Sequence, residues 1–355
     1  MNGIIFGMNT KFRIAALLLL GGASISHAQQ NQDDPDWPNW AYGYFEPLEE
    51  TDPAIYQVPN CPEGANPRSC GPVGTGLVDD GVKRSLPGTS LTFTRAEANY
   101  SWRPADWYPG DHPEMPEIIA TGDMERGIRP CALCHFSNGQ GKIENGHVAG
   151  LPANYILQQL EAFENGDRVS ADYRKANTNE MARIAAWLTE EEKQQVAEYY
   201  SSILFRSMVR VVESAQAPQI RASLNRLLMA DEDAPWQPLG NQIVEVAEDT
   251  EETEIMRNPR GTFVAYVPVG SIAKGEQIVT MGGGKTTMCN VCHGAGQQGL
   301  GDVPSIAGRS TSYTMRQLWD VKQASRVSPL MAAIVADLTA EDMMNVAAYL
   351  ATLPP

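Results

Sequence analysis

The chain has 355 residues, with 43 acidic against 27 basic side chains and a formal charge of −16 at neutral pH. So acidic a surface repels the phosphates of nucleic acid and excludes a nucleic-acid binder. It favours a protein partner with a basic docking face; simple solubility is the plainer account of the same charge.

In chain order, Lys11 and Arg13 precede the apolar run Ile14 to Leu20, and Ser26-His27-Ala28 places small residues around a cleavage point. This pattern predicts a secretory signal peptide over 1–28, cut after Ala28. The apolar run is too short to span a bilayer, and no later segment reaches transmembrane length. The mature protein is therefore expected to be exported, soluble and periplasmic, without an integral membrane segment. Cleavage removes two basic residues and no acids, which leaves it more acidic still.

Residues 29–114 mix Asp33, Asp34 and Asp36 with Trp37, Trp40, Tyr42, Tyr44 and Phe45, and then prolines and glycines recur up to Pro113. There is no sustained helical period. Aromatics at this density are unusual in disordered chain, so the stretch reads as an extended arm wrapped on the domains C-terminal to it. Thr94 to Glu97 matches a capping box opening one short helix. Cys61 and Cys70 enclose a short loop and, in an oxidising compartment, are expected to form a disulfide. Such a loop adds about 2–3 kcal/mol in the chain-entropy picture; a redox-active bridge is the alternative.

From 115 to 204 the pattern is helical. Pro152 to Phe163 carries Ile156, Leu157, Leu160 and Phe163 on one face and stops at Gly166. Thr189 and Glu192 make a second capping box, followed by Val196, Tyr199, Tyr200 and Ile203 at helical spacing. Ahead of both lies Cys131-Ala132-Leu133-Cys134-His135. In an exported chain a C-x-x-C-H run reads as a covalent haem attachment site. The two thiols add across the haem vinyl groups, and the adjoining histidine supplies the proximal iron ligand. A structural zinc pair is the alternative, but neither zinc nor redox chemistry needs a histidine at that place.

Residues 205–269 form a connector too long for a simple linker. Val209, Val211 and Val212, then Ile243 to Val246, then Phe263 to Val267 read as short strands of a small β element packed on the helical domains. The acid-rich run Glu248 to Glu254 reads as a solvated loop.

Residues 270–355 repeat the first helical unit. At one constant offset Cys131, Cys134 and His135 align with Cys289, Cys292 and His293, Ala149-Gly150 with Ala307-Gly308, Tyr155 with Tyr313, and Gln159-Leu160 with Gln317-Leu318. Beyond a loop that is shorter in the second copy, Met181 meets Met331, Leu188-Thr189 meets Leu338-Thr339, and Tyr199 meets Tyr349. Methionine is ordinarily core filler. The shared register instead assigns Met181 and Met331 to the sixth axial position, where a thioether raises the potential relative to a second histidine. Met315, Met343 and Met344 read as packing. His112 and His147 offer a bis-histidine alternative in the first unit, but neither has a counterpart in the second, so both read as surface residues.

On these motifs the chain resembles the dihaem class I cytochromes c of bacterial periplasms over 115–204 and 270–355. The resemblance implies a mainly α fold with two tandem class I cytochrome c helical domains. The arm (29–114) and the connector (205–269) are departures from the compact relatives. It also implies two covalently bound haem c groups, with axial pairs His135/Met181 and His293/Met331 and haem edges facing each other. The expected function is electron transfer between a dehydrogenase or quinol oxidoreductase and a terminal oxidase or reductase. The chain reads as a carrier rather than an enzyme, since no catalytic acid–base constellation is visible. The alternative is a haem enzyme or cytochrome subunit of a periplasmic dehydrogenase complex, of peroxidase or sulfur-compound oxidoreductase type. That reading needs a vacant sixth position.

Overall fold

The computed structural model describes residues 36–43, 80–172, 175–222, 228–231 and 233–355. The expected signal peptide and the Cys61–Cys70 pair lie outside the described residues. Within the arm, α1 (Arg95–Ala98) opens with the expected capping box: Thr94 Oγ1 accepts from Glu97 N and Glu97 accepts from Thr94 N. The first helical group follows with α2 (Glu117–Ala120), α3 (Cys131–His135), α4 (Ala153–Asn165), α5 (Ala176–Ala185) and α6 (Glu190–Ser201). Gly166 ends α4 in the left-handed region at φ 79°, which a residue without Cβ adopts freely. The Thr189–Glu192 capping box opens α6. The periodic faces meet as the sequence requires: Ile156 and Leu160 of α4 pack with Val196, Tyr199, Tyr200 and Ile203 in one core.

The connector folds into short strands: β1 (Val209–Glu213), β2 (Gln216–Ala217), β3 (Ile220–Ala222), β4 (Leu228–Ala230), β5 (Gln237–Pro238), β6 (Val244–Ala247) and β7 (Phe263–Val267). β7 is central, parallel to β1 and antiparallel to β6, while β2 pairs with β5 and β3 with β4. The near-continuous apolar run Phe263–Val267 suits a strand covered on both faces, and Phe263, Val264, Ala265 and Val267 are buried. The acid-rich run is not a solvated loop. Thr250–Ile255 forms a π-helical turn whose Thr253 and Glu254 are buried, because Glu254 meets the ammonium of Lys142 at 2.6 Å.

The second helical group comprises α7 (Ser271–Met281), α8 (Asn290–His293), α9 (Thr311–Lys322), α10 (Pro329–Val335) and α11 (Ala340–Thr352). Its core is continuous with β1, β6 and β7. Glu245 of β6, 1% exposed, accepts from Ser310 Oγ (2.8 Å), Ser312 N (2.9 Å) and Thr311 N (3.2 Å) at the start of α9. A carboxylate there meets the positive end of the helix dipole. α7 crosses α11 at Gly275, where a Cβ would lie 2.0 Å from the Asn345 carbonyl oxygen. The first group has no such helix, since α2 runs only four residues.

The arm packs in two places. Trp37, Ala41 and Tyr42 enter the core of the second helical group, where Tyr42 Oη donates to Asp320 at 2.7 Å and Trp37 meets Trp319 edge-on. Farther along, Leu86, Ala98, Trp107 and Tyr108 cluster with Met256 of the connector. Among the described residues, no helix is long and apolar enough to cross a membrane.

Candidate functional site

α3 presents Cys131, Cys134 and His135 on little more than one helical turn, ended by Phe136 at φ 62°. α8 and the residue before it present Cys289, Cys292 and His293 in the same way, ended by Gly294. In both copies the histidine is oriented by a backbone carbonyl. His135 Nδ1 lies 2.7 Å from Gly146 O, and His293 Nδ1 lies 2.8 Å from Pro304 O, each eleven residues further on. A carbonyl only accepts, so Nδ1 carries the proton and Nε2 keeps its lone pair for a metal. Burial holds both imidazoles below the ordinary value, against those carbonyl bonds, and so keeps them neutral. Burial likewise pushes the Cys131 thiol up to about 12 and Cys289 to about 11.

One cavity is lined by Cys131, Cys134, His135 and Met181, the last from α5. Ile156, Leu160, Phe163, Ile184 and Val196 supply apolar walls. In the second group Met331 of α10 and Cys289 are part-buried against the core, His293 is buried and Cys292 is exposed. Among the described residues no three His, Cys, Asp or Glu side chains are grouped to hold a metal ion, whereas a structural zinc site takes four ligands. The donor set fits a haem: paired thiols, a histidine with a free Nε2, a thioether, and an apolar slot with a cationic end.

That cationic end lies where the two helical groups meet. Arg168 donates through Nη1 to Gln159 (2.8 Å) and through Nη2 to Tyr313 Oη (3.1 Å) and Gln317 (2.9 Å). Arg326 mirrors it, donating to Gln317 (3.0 Å), Tyr155 Oη (2.7 Å) and Gln159 (2.9 Å). The backbone obeys the same symmetry, with Val169 N donating to Ser325 O (2.8 Å) and Val327 N to Asp167 O (2.7 Å). Burial pushes the Tyr155 phenol up, but Arg326 and Arg168 outweigh it and hold it below the ordinary value. Buried Arg309 and Arg316 add two more guanidinium groups, bonded to the neutral carbonyls of His147, Ser305, Ala41 and Ile143. Arg309 Nη2 has no partner. So much buried positive charge calls for anions, and haem propionates supply that chemistry.

His112 and His147 are not surface residues. The His112 ring is 4% exposed and bonded to Asp106 at 3.1 Å. His147 is 1% exposed, with both ring nitrogens unpartnered. Burial, and then Arg309, holds it down to about 3, so it stays neutral. His147 lines the same cavity as His135, and both rings are buried by contacts that a local pattern does not reveal. Sequence reasoning also missed Arg168 and Arg326, although Arg168-Val169-Ser170 and Arg326-Val327-Ser328 repeat at the same offset as the attachment motifs. It missed the charges Lys142 and Glu254, both buried, and Glu144 and Arg257, both half-buried, as well, none of which carries a local signature.

Residues 271–350 match the family described as cytochrome c oxidase, cbb3-type, subunit III. Together with the doubled C-x-x-C-H motif and its oriented histidines, this match supports a class I c-type cytochrome. It is similar to a thiosulfate dehydrogenase electron acceptor of Stutzerimonas stutzeri, 37% identical over 86 residues, which cover 23% of this chain and 40% of that one. It is also similar to a thiosulfate dehydrogenase electron acceptor of Thiomonas intermedia, 24% identical over 233 residues (63% of this chain, 78% of that one). Among solved structures, cytochrome c4 of Acidithiobacillus ferrooxidans aligns at 21% identity with a TM-score of 0.40, covering 63% of this chain and 98% of that one. The chain thus spans less than half the length of the first of these relatives.

Proposed function

We propose that this chain is an exported, periplasmic electron carrier built from tandem class I cytochrome c domains, each holding one covalently attached haem c. The observation that carries the reading is the mirrored interface, in which Arg168 and Arg326 each bond to side chains of both helical groups. An interface built this way holds two attachment sites in fixed relation, which suits electron passage between them. The haem supplies the one-electron chemistry when bound. The chain's residues do the rest. Cys131, Cys134, Cys289 and Cys292 would fix it covalently, and His135 and His293 would offer Nε2 to the iron. Met181 and Met331 would offer thioether sulfurs to the iron and so exclude exogenous ligands. Arg168, in the cavity lining, would receive a propionate of the first haem, and Arg326 would by the same symmetry serve the second. The acidic surface favours partners with a basic docking face. A dehydrogenase acting on a sulfur compound is a donor class in keeping with the names of the two similar electron acceptors.

Haem counting tests this. Thioether-bound haem survives acid–acetone extraction, so the intact mass of the extracted chain should include two haems, and Cys134→Ser and Cys292→Ser should each reduce covalent loading at one site. A mass carrying one haem or none contradicts the two-site reading.

A further inference from the structure

We propose that Glu144 is a proton-binding site coupled to electron transfer: reduction at the His135 site takes up a proton from solvent onto the Glu144 carboxylate, while reduction at the His293 site takes up none. The inference rests on the two-haem reading above and assigns a second cargo to one of the two sites.

Glu144 lies between α3 and α4, in the wall of the cavity that also holds Cys134 and His135. Its Oε2 is buried without a hydrogen-bond partner, as is Glu254 Oε1 across from it. The cations around it are largely committed elsewhere. Lys142 spends its ammonium on Glu254, at 2.6 Å from Oε2 and 3.0 Å from the backbone oxygen. Arg257 donates to the Leu133 carbonyl and lies over the Phe136 ring, while Glu180 is paired with Arg183 at 2.6 Å. Lys142 and Lys175 reach the Glu144 carboxylate as charges rather than as donors. Burial, and then repulsion from Glu254, raises Glu144 to about 7 against that pull, within the range where a modest change in local charge switches its protonation.

Reduction supplies that change. One electron from the donor removes one positive charge from the iron, and in a low-dielectric wall the carboxyl then holds a proton more tightly. One electron and one proton enter together; on reoxidation the electron leaves to the acceptor and the proton returns to solvent. Linkage is reciprocal, so the protonated carboxyl raises the potential and rising pH lowers it. The second repeat contains its own control. At the matched position stands Asp302, which is exposed and accepts from Asn154 at 3.2 Å, and Leu300 replaces Lys142.

The test is a potentiometric titration of the full haem-loaded chain between about pH 5.5 and 8.5. A one-electron couple bound to one proton falls by up to about 59 mV per pH unit, the potential equivalent of tenfold. One component should slope in this way and the other stay flat, and reduction in weak buffer should consume protons visible to a pH dye. Glu144→Gln should flatten the sloping component and abolish the uptake; Asp302→Asn should change neither. Two flat components in the wild type, or a slope that survives Glu144→Gln, overturn the proposal. A single component contradicts the two-site reading instead, and if it belongs to the first site its slope still decides the role of Glu144.

Discussion

Lys142 and Glu254 form an ion pair whose side chains are 3% and 1% exposed. Breaking such a pair from one side strands a charge in the interior, at a cost of about 3–5 kcal/mol. Lys142→Met should therefore lower the denaturant midpoint markedly, while the double variant Lys142→Met/Glu254→Met should recover most of the loss. A single variant as stable as the wild type would show that Glu254 finds other solvation. The pair also explains why the acid-rich run misleads at the level of sequence. Acid density is a local signal, whereas the cation that buries Glu254 stands 112 residues away. The two C-x-x-C-H runs stand out because their spacing is contiguous in the sequence. His147 does not, because what buries it is Phe205 and Tyr313 from distant segments.

The helices declared themselves where capping chemistry is local: Thr94, Thr189 and Gly166 stand at the ends that the sequence marks. The three principal strands were legible from short β-branched and aromatic runs, but their order β1-β7-β6 was not, since pairing is non-local. The α7–α11 crossing was likewise hidden in an ordinary-looking Gly275. A Cβ there would meet Asn345 O at 2.0 Å and its carbonyl carbon at 2.6 Å, and backbone cannot swing aside as a side chain does. Gly275→Ala should force the helices apart and cost on the order of 1–3 kcal/mol, the usual range for overpacking. Calorimetry should show the unfolding transition shifted to lower temperature. An unaltered melt would mean that the crossing is loose.

Across the whole molecule the duplication is legible as a constant offset, but how the copies meet is not, because an offset gives correspondence without orientation. Arg168 and Arg326 set that orientation through mirrored bonds to Tyr155, Gln159, Tyr313 and Gln317. Arg168→Met with Arg326→Met should leave both haems attached yet loosen the domains. Small-angle scattering should then show a larger radius of gyration, and unfolding should separate into two transitions. Retained compactness and a single transition would place the weight of the interface elsewhere. The acidic surface makes a further demand: electron transfer to a basic partner should slow between 0.1 M and 1 M salt, as the Debye length falls from about 10 Å to about 3 Å. A salt-independent rate would indicate an apolar contact. The proposed closure of both sites by methionine makes the protein a carrier that passes electrons without doing chemistry. This closure is tested most directly by adding carbon monoxide to the reduced protein and recording the near-infrared spectrum of the oxidised form. Two low-spin haems with the weak methionine–sulfur band and little carbon monoxide binding are expected, and in Met331→Ala one open site, a lower potential and an intact attachment. Wild-type protein that binds carbon monoxide readily at either haem would contradict it, since that site would then be open for catalysis.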